Sequence, residues 1–220
     1  MKKLFSILII ILALGACGTV GTRTVKEEFI VKLDSQQLKA GEIEAQFERQ
    51  LSIGGLKKDS ITVIYFPNED AVCLQHRADF TTYYQFWNRS GRQVFIDGLE
   101  KYKEDYAARS LNKSGRLAKR NYGSVDGYLI WQMYRYTAQS YGSVELEIGY
   151  DFRDRFPYFI INQREVSFHE SNSRDIRYSP EMSIFFSRAQ AENLAVLFDQ
   201  QYLQSLVSAN ANSVNSRDDY

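Results

Sequence analysis

At 220 residues the chain is long enough to bury one sizeable core, and its 25% charged and 44% hydrophobic residues are ordinary for a globular domain. Its 27 basic and 27 acidic residues balance, which excludes the polycationic surface that nucleic acid requires of a partner. The 15 Tyr and 14 Phe favour a β-rich fold, where such side chains pack on pleated faces.

The chain opens with Met1-Lys2-Lys3, a short positive segment, and continues through an apolar run from Leu4 to Leu14 interrupted only by Ser6. Such a run is too short to cross a bilayer, which takes roughly 20 residues. A buried N-terminal helix would have no polar face to offer solvent. The segment therefore reads as a secretory signal. It ends in Leu14-Gly15-Ala16-Cys17, which resembles the lipobox of bacterial lipoproteins. The resemblance covers this leader alone. It implies removal of residues 1–16 and a mature chain starting at Cys17, with diacylglycerol (palmitate-type acyl chains) on the sulfur and usually a further acyl group on the freed amine. Two or three chains, at about 0.8 kcal/mol per buried methylene, make release from the membrane very slow. The family's inner-membrane retention signal, commonly an Asp after the Cys, is replaced by Gly18, so the resemblance implies the outer membrane rather than the inner. Loss of Lys2 and Lys3 takes the basic residues to 25 against 27 acidic ones, a mature net charge of −2.

Residues 17–23 form a short polar tether. Val25 to Leu33 alternates apolar and charged residues, which predicts a first strand. Ile43, Phe47 and Leu51 recur every four residues and predict a helix over about 42–52, ended by Gly54-Gly55. Ile61–Phe66 and Ala71–His76 read as two strands joined by a turn at Pro67-Asn68-Glu69-Asp70, and 79–87 as a further strand. Phe95, Leu99, Tyr102 and Tyr106 then form the stripe of an amphipathic helix over about 91–109, with Ser90 as its expected N-cap.

From Asp126 to Gln163 come three aromatic and β-branched runs separated by short turn clusters, the pattern of an antiparallel meander. In the middle run Val144, Leu146, Ile148 and Tyr150 alternate with Glu145, Glu147 and Gly149, so one face should lie on a core and the other meet water. Residues 165–180 are polar and read as a loop, and Met182–Phe186 as a last strand. Ser187 and Gln190 fit a capping box at the start of a helix running to about Ser208, and 209–220 has almost nothing to bury and reads as a disordered tail. The expected fold is α+β: an antiparallel meander of about six to eight strands covered by two amphipathic helices, in one domain over 24–208.

Chemistry is harder to place. Cys73 is the one cysteine besides Cys17; between Val72 and Leu74 it reads as a buried, inert thiol rather than a nucleophile. His76 lies three residues on, an odd offset that turns it to the opposite sheet face, and His169 sits in the polar stretch. No ligand motif of recognised spacing occurs, so no metal site or cofactor is expected beyond the lipid on Cys17. Phosphate-loop and nucleophile-elbow sequences are absent too. In the strand from Tyr128 to Tyr136, Tyr128, Ile130, Tyr134 and Tyr136 share one face while Leu129, Trp131 and Met133 share the other. Such a strand is either covered on both sides or carries an exposed aromatic platform, with Trp131, Tyr134 and Tyr136 as the candidate binding residues. The expected role is a lipid-anchored cell-envelope lipoprotein, non-enzymatic, binding an envelope protein or glycan or acting structurally. The alternative is an envelope hydrolase of a cell-wall or surface polymer, working with carboxylates that nothing in the sequence singles out.

Overall fold

The computed structural model describes residues 31–49, 55–78, 80–113, 121–133, 139–169 and 176–215. They form ten strands and three helices: β1 Leu38–Arg49, β2 Lys57–Phe66, β3 Ala71–Ala78, β4 Thr81–Trp87, α1 Arg89–Ala107, β5 Asn121–Met133, β6 Ser140–Arg153, β7 Phe156–Gln163, β8 Val166–His169, β9 Ile176–Ser179, β10 Met182–Phe186, α2 Arg188–Phe198 and α3 Gln200–Asn215. The fold is α+β, but the sheet does not stay open. Its order β1-β10-β7-β6-β5-β4-β3-β2 closes on itself, antiparallel throughout, because β1 pairs with both β2 and β10. Closure removes the exposed edges that an open meander would present. The signal, lipobox and tether, including Cys17, lie outside the described residues.

The alternation read in the sequence builds the barrel wall. On β6, Val144, Leu146 and Ile148 point inward and are buried, while the intervening glutamates face out. The helix expected over 42–52 is instead most of β1. Ile43 and Phe47 are indeed four apart, but four is also twice the strand period, and Ala45 supplies the inward position between them. Three antiparallel strands follow the 126–163 pattern, with β5 beginning earlier, at Asn121. The polar stretch 165–180 is not all loop: β8 and β9 pair as a separate two-stranded ribbon that lies against β6. Of the expected first strand, residues 25–30 lie outside the described residues, and Val31 to Leu33 are not strand. Val31 is buried on the outer face of the barrel among Phe66, Cys73, Phe86, Tyr128 and Ile130.

The helices close one end. Phe95, Leu99 and Tyr102 of α1 and Ala191, Leu194 and Phe198 of α2 join the barrel core, with Phe95 packed edge-on against Trp87, Phe159 and Phe198 at 6.1, 5.3 and 5.0 Å. The N-cap of α1 is Asn88, which accepts from Gly91 N at 2.8 Å; Ser90 lies inside the helix and donates to Asn88. The capping box at Ser187 and Gln190 forms as expected. The helix expected over 188–208 breaks at Asp199, whose backbone is extended and whose carboxylate accepts from Tyr202 N at 2.9 Å, starting α3. That helix continues into the stretch expected to be a disordered tail, as far as Asn215, with the Ser205 and Ser208 hydroxyls bonded back to the Tyr202 and Gln204 carbonyls.

At the other end His76 is buried and stacked between Phe47 and Tyr83, at 4.9 and 5.3 Å. Between the ends runs a thread of buried polar groups. Trp87 Nε1 donates to Gln85 Oε1 at 3.0 Å, Gln85 Nε2 to Gln163 Oε1 at 3.1 Å, and Gln163 Nε2 to Ser179 Oγ at 3.2 Å. Each amide needs the next, since a buried polar group without a partner costs about 1–3 kcal/mol. Gln163→Leu keeps the volume but strands Gln85 Nε2 and Ser179 Oγ. It should lower the free energy of unfolding by about 2–4 kcal/mol in denaturant titration, and an unchanged midpoint would show that the thread is not needed.

Candidate functional site

The aromatic platform is the first surface to test against the structure. Trp131 is 3% exposed: it lies inside the barrel beside Tyr83 and cannot form an exposed binding face. On the opposite face of β5, Tyr128 and Ile130 are buried too, because Val31 and Leu33 pack over them. The large side chains on both faces of β5 are thus explained by cover on both sides. Tyr134 and Tyr136 lie outside the described residues.

The nucleophile and metal candidates separate in the same way. Cys73 is fully buried on the outer face of β3, and burial pushes its thiol well above the ordinary range, which suits an inert side chain. His76 points into the barrel, on the other side of the strand, as the odd offset requires. His169 ends β8. Among the described residues no group of three or more His, Cys, Asp or Glu side chains is placed to hold a metal ion.

What the barrel does offer is a groove of about 400 Å³ on its outer wall, across β6, β7 and β10. Its floor exists because β6 places Gly149, with no side chain, on the outward position between Glu147 and Asp151, with Ile160 as its cross-strand partner. One rim is a fixed polar network. Arg164 donates from Nη2 to Glu147 Oε1 at 2.6 Å and from Nη1 to Glu181 Oε1 at 3.4 Å. Asn162 Nδ2 donates to Glu181 Oε1 at 2.9 Å and to Glu147 Oε2 at 3.4 Å, while its carbonyl accepts from Ser183 at 2.9 Å. The bond to Glu147 holds the Arg164 guanidinium above its ordinary pKa, so it stays a fixed cation. The Arg164 guanidinium thus bridges two carboxylates, and a third, Asp151, lines the groove and pairs with Arg153 at 3.4 Å. It is rich in acceptors, and its donors already serve those acceptors. That arrangement can receive hydroxyl, amine or amide donors from a ligand. Glu147 and Glu181 already accept from Arg164 and Asn162.

The sequence does not single out these residues, because they come from three strands and the positions just after β7 and before β10, and meet only through register: Glu147 pairs with Asn162, and Asn162 with Ser183. The one available signal is their shared outward parity on strands whose other face is apolar. In the Cys17→Ala variant, where Cys73 is the one thiol, the thiol reagent DTNB should leave the folded protein unlabelled and react once guanidinium unfolds it. Rapid labelling of the native chain would contradict the burial.

No curated protein and no solved structure matches the chain. A family model described as "Uncharacterised Treponema protein" matches residues 32–205, from before β1 into α3 and so across the whole barrel, and the chain belongs to that family.

Proposed function

We propose that this chain is a lipid-anchored lipoprotein of the bacterial cell envelope, held in the outer membrane through acyl chains on Cys17, and that it binds rather than catalyses. The observation that carries the anchor is the leader itself, a positive segment and short apolar run ending in Leu14-Gly15-Ala16-Cys17. Among the described residues no helix is long and apolar enough to cross a membrane. The binding half is supported by the outer groove, whose acceptor-rich rim suits the hydroxyl and amide donors of an envelope glycan or a partner protein. A hydrolase acting on a wall polymer would need a carboxyl offered to its substrate, and the engagement of Glu147 and Glu181 with Arg164 favours binding over that reading.

Cys17→Ala tests the anchor. The wild type should take up radiolabelled palmitate and stay with the membrane fraction, and the variant should do neither. A variant that still incorporates palmitate and partitions with membranes would overturn the claim. The groove is tested on an array of cell-wall glycans and their peptide-bearing fragments. Arg164→Ala removes the cation that bridges the two carboxylates and leaves Asn162 alone to hold them, so it should weaken retention by about tenfold if the rim supplies roughly 1.4 kcal/mol of the contact. Equal retention by both proteins would move the binding surface elsewhere.

A further inference from the structure

We propose that the barrel end opposite the helices docks on a lipid surface, the same bilayer that holds the Cys17 acyl chains; the inference rests on the anchor reading above. Three exposed apolar side chains gather there. Phe80, in the β3–β4 turn, is 73% exposed, Met133 at the end of β5 is 48% exposed, and Tyr141 on the outer face of β6 is 50% exposed. Register brings them together: Thr81, next to Phe80, pairs with Met133, and Ile130, three residues before Met133, pairs with Tyr141. The Tyr141 ring lies on Phe168 with centroids 4.7 Å apart, so it is held in place rather than swinging in solvent. An apolar ring with a polar tip is the side chain that settles at headgroup level.

Two observations select lipid as the occupant. The first is charge. Lys57 and Lys58 at the start of β2 and Arg77 near the end of β3 are exposed at this same end of the barrel. Long basic side chains around apolar tips fit the boundary where phosphates meet acyl chains. The neighbouring Asp59 gives its carboxylate to the Ser60 N–H at 2.8 Å and keeps its charge, and Glu165 and Glu181 stand at this end beside β7 and β10, so the basic face is the β2–β3 side, next to Phe80. The second is where the anchored segment joins the barrel. Val31 packs on the outer face of β3, β4 and β5, the strands whose ends carry Phe80 and Met133. Thirteen residues separate Cys17 from Val31. Fully extended they reach at most about 45 Å. The seven residues of β4 span about 23 Å. The lipid can therefore enter a bilayer lying across this end while Val31 stays seated.

Brominated acyl chains quench tryptophan that enters the headgroup–acyl boundary, and they make the test. The lipidated full-length protein, carrying Phe80→Trp, is reconstituted into phosphatidylcholine–phosphatidylglycerol vesicles with and without brominated lipid. Phe156→Trp is the matched control: Phe156 is 68% exposed, in the β6–β7 turn at the helical end. The docking requires blue-shifted emission and loss of intensity for Phe80→Trp, with the Phe156→Trp signal unaffected. Flotation of the same samples reads the anchor separately. Protein that floats but shows equal quenching at the two positions overturns the docking alone. Protein that does not float overturns the anchor reading and the docking with it.

Discussion

Closure of the sheet through β1 is the constraint on which the rest depends. An eight-stranded barrel has an interior just wide enough to be filled by side chains or to hold one small ligand. Here Trp87, Tyr83, Trp131, Leu146, Ile161 and Ile184 occupy it, with Phe95 and Phe198 pressed in from the helical end. A filled interior has a consequence for the polar groups caught inside. Gln85, Gln163 and Ser179 are out of reach of solvent and satisfy one another in sequence, starting from the Trp87 indole. The thread links β4, β7 and β9, so it fixes how the ribbon sits on the barrel as well as how the wall is registered.

The helical end is held by a charge rather than by apolar packing alone. Arg92 of α1 is buried, and its guanidinium donates to the Asp70 backbone carbonyl at 2.7 Å, to the Asp70 carboxylate at 2.8 Å and to Gln200 Oε1 at 2.6 Å. Removing a guanidinium from water is costly, and the acceptors on its two terminal nitrogens offset part of that cost, while its buried Nε–H has no partner. Asp70 provides two of them because its backbone takes the left-handed conformation, φ 45°, after the turn Pro67–Glu69. Asp tolerates that conformation better than most residues. The Tyr65 hydroxyl donates to the same carboxylate, and burial with the nearby Asp70 charge raises its pKa. One residue earlier, Glu69 accepts from Ser35, which ties the segment entering β1 to the same turn. The first strand pair, the first helix and the start of the last helix thus share one buried junction.

How much of this could be read from the residues depends on how local each determinant is. The capping box at Ser187 and Gln190 needs four consecutive residues, and it is present as expected. The β6 alternation needs seven, and its two faces fall where the pattern puts them. β1 failed because Ile43 and Phe47 satisfy both periods, and the deciding residue, Ala45, is too small to announce a buried position. Ser90 and Asn88 are both good caps, and only the path of the chain out of β4 chooses between them. Barrel closure, the seating of Val31 over β5 and the meeting of Glu147, Asn162, Arg164 and Glu181 each require a register between distant segments. No periodicity within one segment encodes that.

The strand order also relates the groove to the seat of Val31. Around the closed sheet, β10, β7 and β6 follow one another on one side, while β3 and β4 lie across the barrel from them. The groove belongs to the first group and the seat of Val31 to the second, with β5 carrying the last of the Val31 contacts. The Glu147–Arg164–Glu181 rim therefore lies on the wall across the barrel from the seat of Val31. The glutamates that make this rim are outward for the same reason that Leu146 and Ile148 are inward. The two-residue period that fills the core is what sets the acceptors on the outer wall.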